Sequence, residues 1–342
     1  MKFNDLGLIA PNTVSGILAC ANVEDIRASI HSGRVLAAAN DANLSGFLLS
    51  QPLTQFVSGS GMESRENLAP ILERAFPSIP AGDQFHYLVE DETQAGQAPA
   101  APEVKRAIGG EFSVDRPKGT QTAGILDDYG LSMWIDVRQG GTEARVQQRY
   151  AMILKNRILR AMLVEGIALL DAAATPDTGK NWGDADADPD TDLAEMIDTS
   201  GDAQGVNANR VLYGGGAWLK RLRAYSDAAR SNGGARSLFS AEQLADNLNL
   251  DDLITLSSRK RTSATAMTKL VNNTVYAYDA GTEMLPTDSS NIKRFVGAGA
   301  FGDFQVFVDT TSPTRVLITV YCRALLKITR TGGIRKRAIT FS

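Results

Sequence analysis

The chain of 342 residues contains only two cysteines and two histidines. Cys20 and Cys322 stand far apart and form no metal-binding spacing, so the sequence needs no disulfide and fits synthesis in a reducing cytoplasm. His31 and His86 leave little material for a histidine-based triad or a multi-histidine metal centre. An excess of positive charge is missing too: Lys and Arg number 35 against 39 Asp and Glu, a formal net charge of −4. A dedicated nucleic-acid binder would carry a clear basic excess. No apolar run approaches the ~18 residues of a membrane span, and no N-terminal run has the order of a signal peptide. G-x-S-x-G, a Cys/His pair and paired carboxylates in an apolar setting are likewise absent, so the sequence offers no catalytic set and no cofactor site. What is present is 43% hydrophobic content, enough to bury substantial cores.

The strongest periodic signal runs over 142–174. Val146, Tyr150, Leu154 and Ile158 recur every four residues, and Leu159, Met162, Leu163, Ile167 and Leu170 continue the stripe in steps of three and four. Arg145, Arg149, Lys155, Arg157 and Arg160 are expected on the opposite, wet side. Gly140 and Gly141 precede the helix, Thr142 is the expected N-cap, Glu143 suits the helix dipole, and Pro176 forbids continuation. A helix of this length spans roughly 45 Å, which suits a beam better than one element of a small core.

Before that beam the pattern is extended. Residues 1–70 read as an N-terminal arm, with a break at Ser58-Gly59-Ser60-Gly61 and a short helix over 63–74 leading out of it. From Phe85 the side chains alternate as in a strand, and Gln94, Pro99 and Pro102 lie in an Ala/Pro-rich stretch that suits an exposed tip. A return limb carries Lys105 and Arg106, Lys118 lies in the interruption after it, and a further strand over 124–137 runs into the helix. Such a two-stranded ribbon has too few large apolar residues to bury itself, so it is expected either to stand in solvent or to lie across another subunit. After the helix, 193–199 is expected to be helical with Asp192 as N-cap. A strand (210–213), a glycine turn and a helix (217–229) with Leu219, Leu222 and Tyr225 inward form an α/β unit with 241–247, 253–256, 274–278 and 301–308. Two β-rich strands, 315–326 and 327–341, close the chain.

Three constellations have a chemical reading beside a bland one. Asp184, Asp186 and Asp188, with Glu195 at position twelve, match a calcium-loop count, but Pro189 stands where that loop needs glycine; a solvated acidic loop is preferred. The Gly214–Gly216 turn could cradle a phosphate, yet no Walker lysine follows at the right offset, so a tight packing turn is preferred. The basic cluster Arg259, Lys260 and Arg261 and the C-terminal cations could touch phosphates, but a solvated loop and salt bridges to a neighbouring subunit explain them as well, and Arg259 to Arg261 are expected to face a partner or solvent.

Taken together, an N-terminal arm, an extended ribbon, a long helix after Gly-Gly, an α/β unit containing "NRVLYGGGAWLKRLR" from Asn209, and the closing strands "RVLITVYCRALLKITRTGGIRKRAITF" from Arg315 resemble the major capsid proteins of tailed bacteriophages. The resemblance covers about 70–342 and rests on architecture, the strand, turn and "xWLxxLR" helix being its most telling piece. It implies an α+β major capsid fold: arm (1–70), extended β-hairpin loop (71–138), peripheral domain with its spine helix (139–204), axial α/β domain (205–312) and strands returning to the peripheral domain (313–342). It further implies self-assembly into pentamers and hexamers of an icosahedral shell around double-stranded DNA, in the host cytoplasm, with scaffold and portal proteins and a possible decoration protein, and no membrane. Gln94, Pro99, Pro102, Lys105, Arg106 and Lys118 become the expected inter-subunit contacts, Lys118 also being the candidate donor of a lysine–asparagine crosslink for which no partner matches. An encapsulin-like compartment shares the implied fold, and a phosphate-ligand enzyme built on the Gly214–Gly216 turn is the reading from another class.

Overall fold

The computed structural model describes residues 47–59, 68–89, 120–184, 186–226, 239–263, 265–282, 288, 290–297 and 303–342. The fold is α+β, with two mixed sheets joined by one long helix.

The first sheet is built on β15 (Arg315–Ile328), the β-rich strand of the sequence. Its alternation is physical: Val316, Ile318, Val320 and Cys322 point into the core, while Leu317, Thr319, Tyr321 and Arg323 stay half-buried on the other face. β5 (Asp127–Asp136) pairs antiparallel along 315–324, β14 (Gln305–Asp309) along 317–321 and β13 (Ile292–Gly297) along 324–328. β1 (Phe47–Leu49) joins β14, and β2 (Ser78–Ala81) runs parallel to β13. The second sheet is ordered β6 (Thr175–Pro176), β16 (Arg335–Thr340), β12 (Thr274–Tyr278), β8 (Arg210–Gly214), β9 (Asp252–Leu256), with β7 (Lys180–Asn181) also on β16. Val275 and Ala277 of β12 face α4 (Pro189–Gln204), α5 (Gly215–Ser226) and α6 (Ala241–Asn247), whereas Tyr276 and Tyr278 face the main core.

The long helix, α3 (Ala144–Ala173), lies in that main core and touches both sheets. Tyr129 of β5 donates to Glu165 at 2.6 Å, and Tyr276 of β12 donates to Asp171 at 2.9 Å one and a half turns later. α1 (Gln51–Gly59) and α2 (Leu68–Ala75) pack beside it through Leu53, Val57, Leu68 and Leu72. A second tie between the sheets is polar: fully buried Asn291 accepts from the Asp279 amide at 2.7 Å and donates to Gln204 Oε1 and the Gly332 carbonyl at 2.9 and 2.6 Å.

Several sequence expectations need correction. The N-cap of α3 is Glu143, in an extended conformation and without a side-chain cap bond, not Thr142. Lys155 is buried, not wet, because α1 covers that side of the helix and the carbonyl of Val57 accepts from its Nζ. The helix after the acidic loop starts at Pro189, which pre-sets the φ of a first turn, with Asp188 as cap; Asp192 lies inside it. The arm ends earlier than residue 70, since β1 and α1 belong to the first sheet and core. Strand pairing also crosses the expected domain limits. β13 and β14, inside 205–312, belong to the first sheet, and β15 and β16, expected as a closing pair, belong one to each sheet.

Candidate functional site

The expected ribbon exists at its base. β3 (Gln84–Val89) pairs antiparallel with β4 (Thr120–Ile125), and Phe85 stands opposite Gly124. A Cβ added at Gly124 would lie 2.7 Å from the Phe85 ring, so the glycine makes room for the aromatic that covers it. Phe85 and Tyr87 in turn pack on Phe295 of β13, with ring centroids 4.5 and 5.5 Å away, beside Ile79, Leu126 and Leu325. Arg323 of β15 pairs with Asp83 at the ribbon's entry. The base is thus riveted to the first sheet of the same chain, while the second face of β3 presents His86 to solvent. Gln94, Pro99, Pro102, Lys105, Arg106 and Lys118, like His31 and Cys20, lie outside the described residues. The strand that runs into the helix, β5, is not a limb of the ribbon but an edge strand of the first sheet, paired with β15.

The helix stripe is placed as its period implies. Leu154, Ile158, Leu163 and Ile167 are buried, and Val146 and Tyr150 are half-buried near the N-terminal end, packed against the same core. Lys155 holds its charge against burial, which lowers its pKa, with the ring of Phe304 5.4 Å from its Nζ.

The acidic loop is tied into the protein. Asp188 accepts from the Tyr225 hydroxyl at 2.6 Å and from Thr191 Oγ1 at 3.0 Å, Glu195 pairs with Lys180, and Asp184 accepts from Asn181 Nδ2 at 2.7 Å; Asp186 is exposed. Among the described residues no group of three or more His, Cys, Asp or Glu side chains is disposed to hold a metal ion. Asp192, which the sequence placed at a cap, instead accepts from Trp182 Nε1 and pairs with Lys180, both at 2.8 Å. The glycine turn is a packing turn. The amides of Gly216 and Ala217 donate to the Asn272 carbonyl at 2.8 and 2.9 Å, so a phosphate would have to displace those bonds. α5 begins at Gly215 and turns Ala217, Arg221, Ala224 and Tyr225 inward, leaving Leu219 half exposed and Leu222 partly so. Arg221 is fully buried and forms a two-bonded pair with Asp190, at 2.7 and 3.0 Å.

The basic residues divide. Arg335 and Arg337 of β16 pair with Asp177, and Lys336 with Asp171, so these C-terminal cations clamp the subunit internally. Arg259, Lys260 and Arg261 form the exposed strand β10 (Arg259–Arg261), paired with β11 (Met267–Lys269) in a small separate ribbon. Sequence reasoning found these cations; it did not find that Met267 stands exposed among them. Burial pushes the Cys322 thiol up to about 12 and raises the Tyr213 and Tyr278 hydroxyls above their ordinary value.

No family model and no curated protein sequence matches the chain. Among solved structures, a phage-related protein from Bordetella bronchiseptica RB50 is similar at a TM-score of 0.58 and 12% identity, over 85% of this chain and 96% of that one. A putative capsid protein of a prophage of E. coli CFT073 aligns at TM-score 0.47 and 14% identity over 86% and 99%, and a virus-like particle protein from Pyrococcus furiosus at 0.48 and 12% over 83% and 95%. The two sheets, the bridging helix and the riveted ribbon described above thus compose the fold of the Bordetella phage-related protein, shared over nearly all of that protein's length.

Proposed function

We propose that this chain is a structural subunit of a tailed-phage capsid, a major capsid protein that self-assembles into pentamers and hexamers of an icosahedral shell enclosing double-stranded DNA. The observation that carries the reading is the fold shared with the Bordetella phage-related protein across 96% of its length. The form of the subunit supports it. A 30-residue helix of about 45 Å braces two sheets into one body, and a ribbon riveted at its base leaves that body. On this reading Gln94, Pro99, Pro102, Lys105, Arg106 and Lys118 contact neighbouring subunits, and 1–46 serves as an arm. The virion shell is its location, built in the host cytoplasm with scaffold and portal proteins. A net charge of −4 keeps contact with the packaged DNA weak and non-specific.

Electron microscopy and light scattering of the purified chain, with and without a co-expressed scaffold protein, test the proposal. Capsomers, sheets or closed shells are expected. A monomer of 36.6 kDa under every condition would overturn it.

A further inference from the structure

The β10–β11 ribbon carries a concentrated positive charge on an acidic protein. Residues opposite each other in an antiparallel pair share a face, so Arg259 with Lys269 and Arg261 with Met267 form one face, and Lys260 with Thr268 the other. Arg259 and Lys260 are exposed, Lys269 is partly so, and none of the three has a carboxylate partner among the described residues. Met267 is 61% exposed, which puts an apolar tip beside the cations.

The matching surface is the C-terminal half of α4. Asp198 and Asp202 are exposed one turn apart, and Val206, 37% exposed, follows one turn later just past the Gly205 cap. Within α4 this arrangement is unfavourable, although Arg330 and Arg335 donate to the carbonyls of Gln204 and Thr199 near its end. Like charges four residues apart repel, acids near a helix C-terminus oppose the dipole, and α4 has no basic residue in its last turn to offset them. Asp198 and Asp202 have no ion pair among the described residues.

We propose that the β10–β11 ribbon of one copy of this chain docks on the acidic C-terminal half of α4 of a second copy, cations on Asp198 and Asp202 and Met267 against Val206. The contact is head-to-tail, because the two surfaces differ, and head-to-tail contacts generate rings when the rotation closes. It rests on the self-assembly reading above and specifies one contact within it. A duplex DNA would satisfy the cations but not Met267, and the chain's net negative charge opposes it.

The test uses the full chain and charge reversal. Arg259→Glu with Lys269→Glu is one variant, Asp198→Lys with Asp202→Lys a second, and all four changes a third. Association is followed by sedimentation velocity at low and high salt. Each two-residue reversal is expected to raise the concentration for half-association about tenfold or more at low salt, and the four-residue variant to return within about threefold of the parent, since the pair is again complementary. Thermal unfolding of the Asp198→Lys, Asp202→Lys chain should rise slightly, which separates lost docking from lost folding. Unchanged association in both reversals, or no recovery in the combined variant, overturns this contact while leaving self-assembly intact. So does binding of a labelled 20-base-pair duplex that the ribbon reversal abolishes without altering association. A parent chain that never associates removes the self-assembly reading and this contact together.

Discussion

Gly166 sits in the middle of α3, where glycine costs a helix about 1 kcal/mol relative to alanine. Its reason is Phe76, a fully buried ring that lies where a Cβ would go and that also stacks on Tyr278 at 6.3 Å. Gly166→Ala should therefore lower stability by about 1–3 kcal/mol despite the gain in helix propensity, read as a lower denaturant midpoint. A higher midpoint would mean that the ring moves freely. Lys155 supplies a pH signature. Desolvation by burial lowers its pKa from 10.5, so the folded chain binds fewer protons there than the unfolded one, and stability should rise with pH across the interval ending near 10.5. Tyrosines raised by burial act in the opposite sense, losing stability only as pH climbs above their ordinary 10.0. Comparing Lys155→Met with the parent below pH 10 isolates the lysine: the variant should show the flatter rise, and identical slopes would refute the assignment. Residues of this kind are the least legible in a sequence. A lysine opposite an apolar stripe looks wet until α1 is known to cover it, and Asn291 gives no local sign that it knots the ends of α4, β12 and β15 together.

Elements were more legible than their partners. Period alone places α3 within two residues of its ends, and alternation or β-branching places β3, β12 and β15. Sheet membership was not readable, because nothing local in β14 records that it pairs with β15 rather than with β12. Cap assignment failed at α4 for a related reason: Asp188 and Asp192 both suit a cap, and Pro189 at the first helical position decides between them. At this scale the ribbon base is the element to perturb. Gly124→Val should push Phe85 off its cross-strand position and loosen the ribbon from Phe295, costing about 1 kcal/mol. Hydrogen exchange is the measurement: amides of β3 and β4 should lose protection while those of β15 keep theirs. Equal loss in all three would make the ribbon part of the central core.

The whole molecule is two sheets braced by a helix packed against both. The long helix, the Asn291 knot and α2, whose Arg74 pairs with Asp252 of β9 and whose Glu73 pairs with Arg294 of β13, tie the two sheets together. Deleting 94–102 should leave circular dichroism and the thermal midpoint close to the parent's and abolish or distort particles seen by electron microscopy. An unfolded deletion would place that stretch within the core, against the proposed inter-subunit role. The general architecture was visible in the sequence because it depends on length and periodicity. The contacts proposed between copies depend on surfaces brought together by folding, and those were visible only as unassigned charge.

Chain order has a consequence for timing. β5, β13 and β14 all pair with β15, while β6, β7 and β12 all pair with β16, so both sheets wait for residues 315–340. Strand pairing over such long sequence separations forms late. β5, β6, β7, β12, β13 and β14 therefore lack this shared partner until translation has passed Arg315. On the proposed reading, a chain still short of Arg315 has neither sheet complete and so offers no finished surface to a second copy.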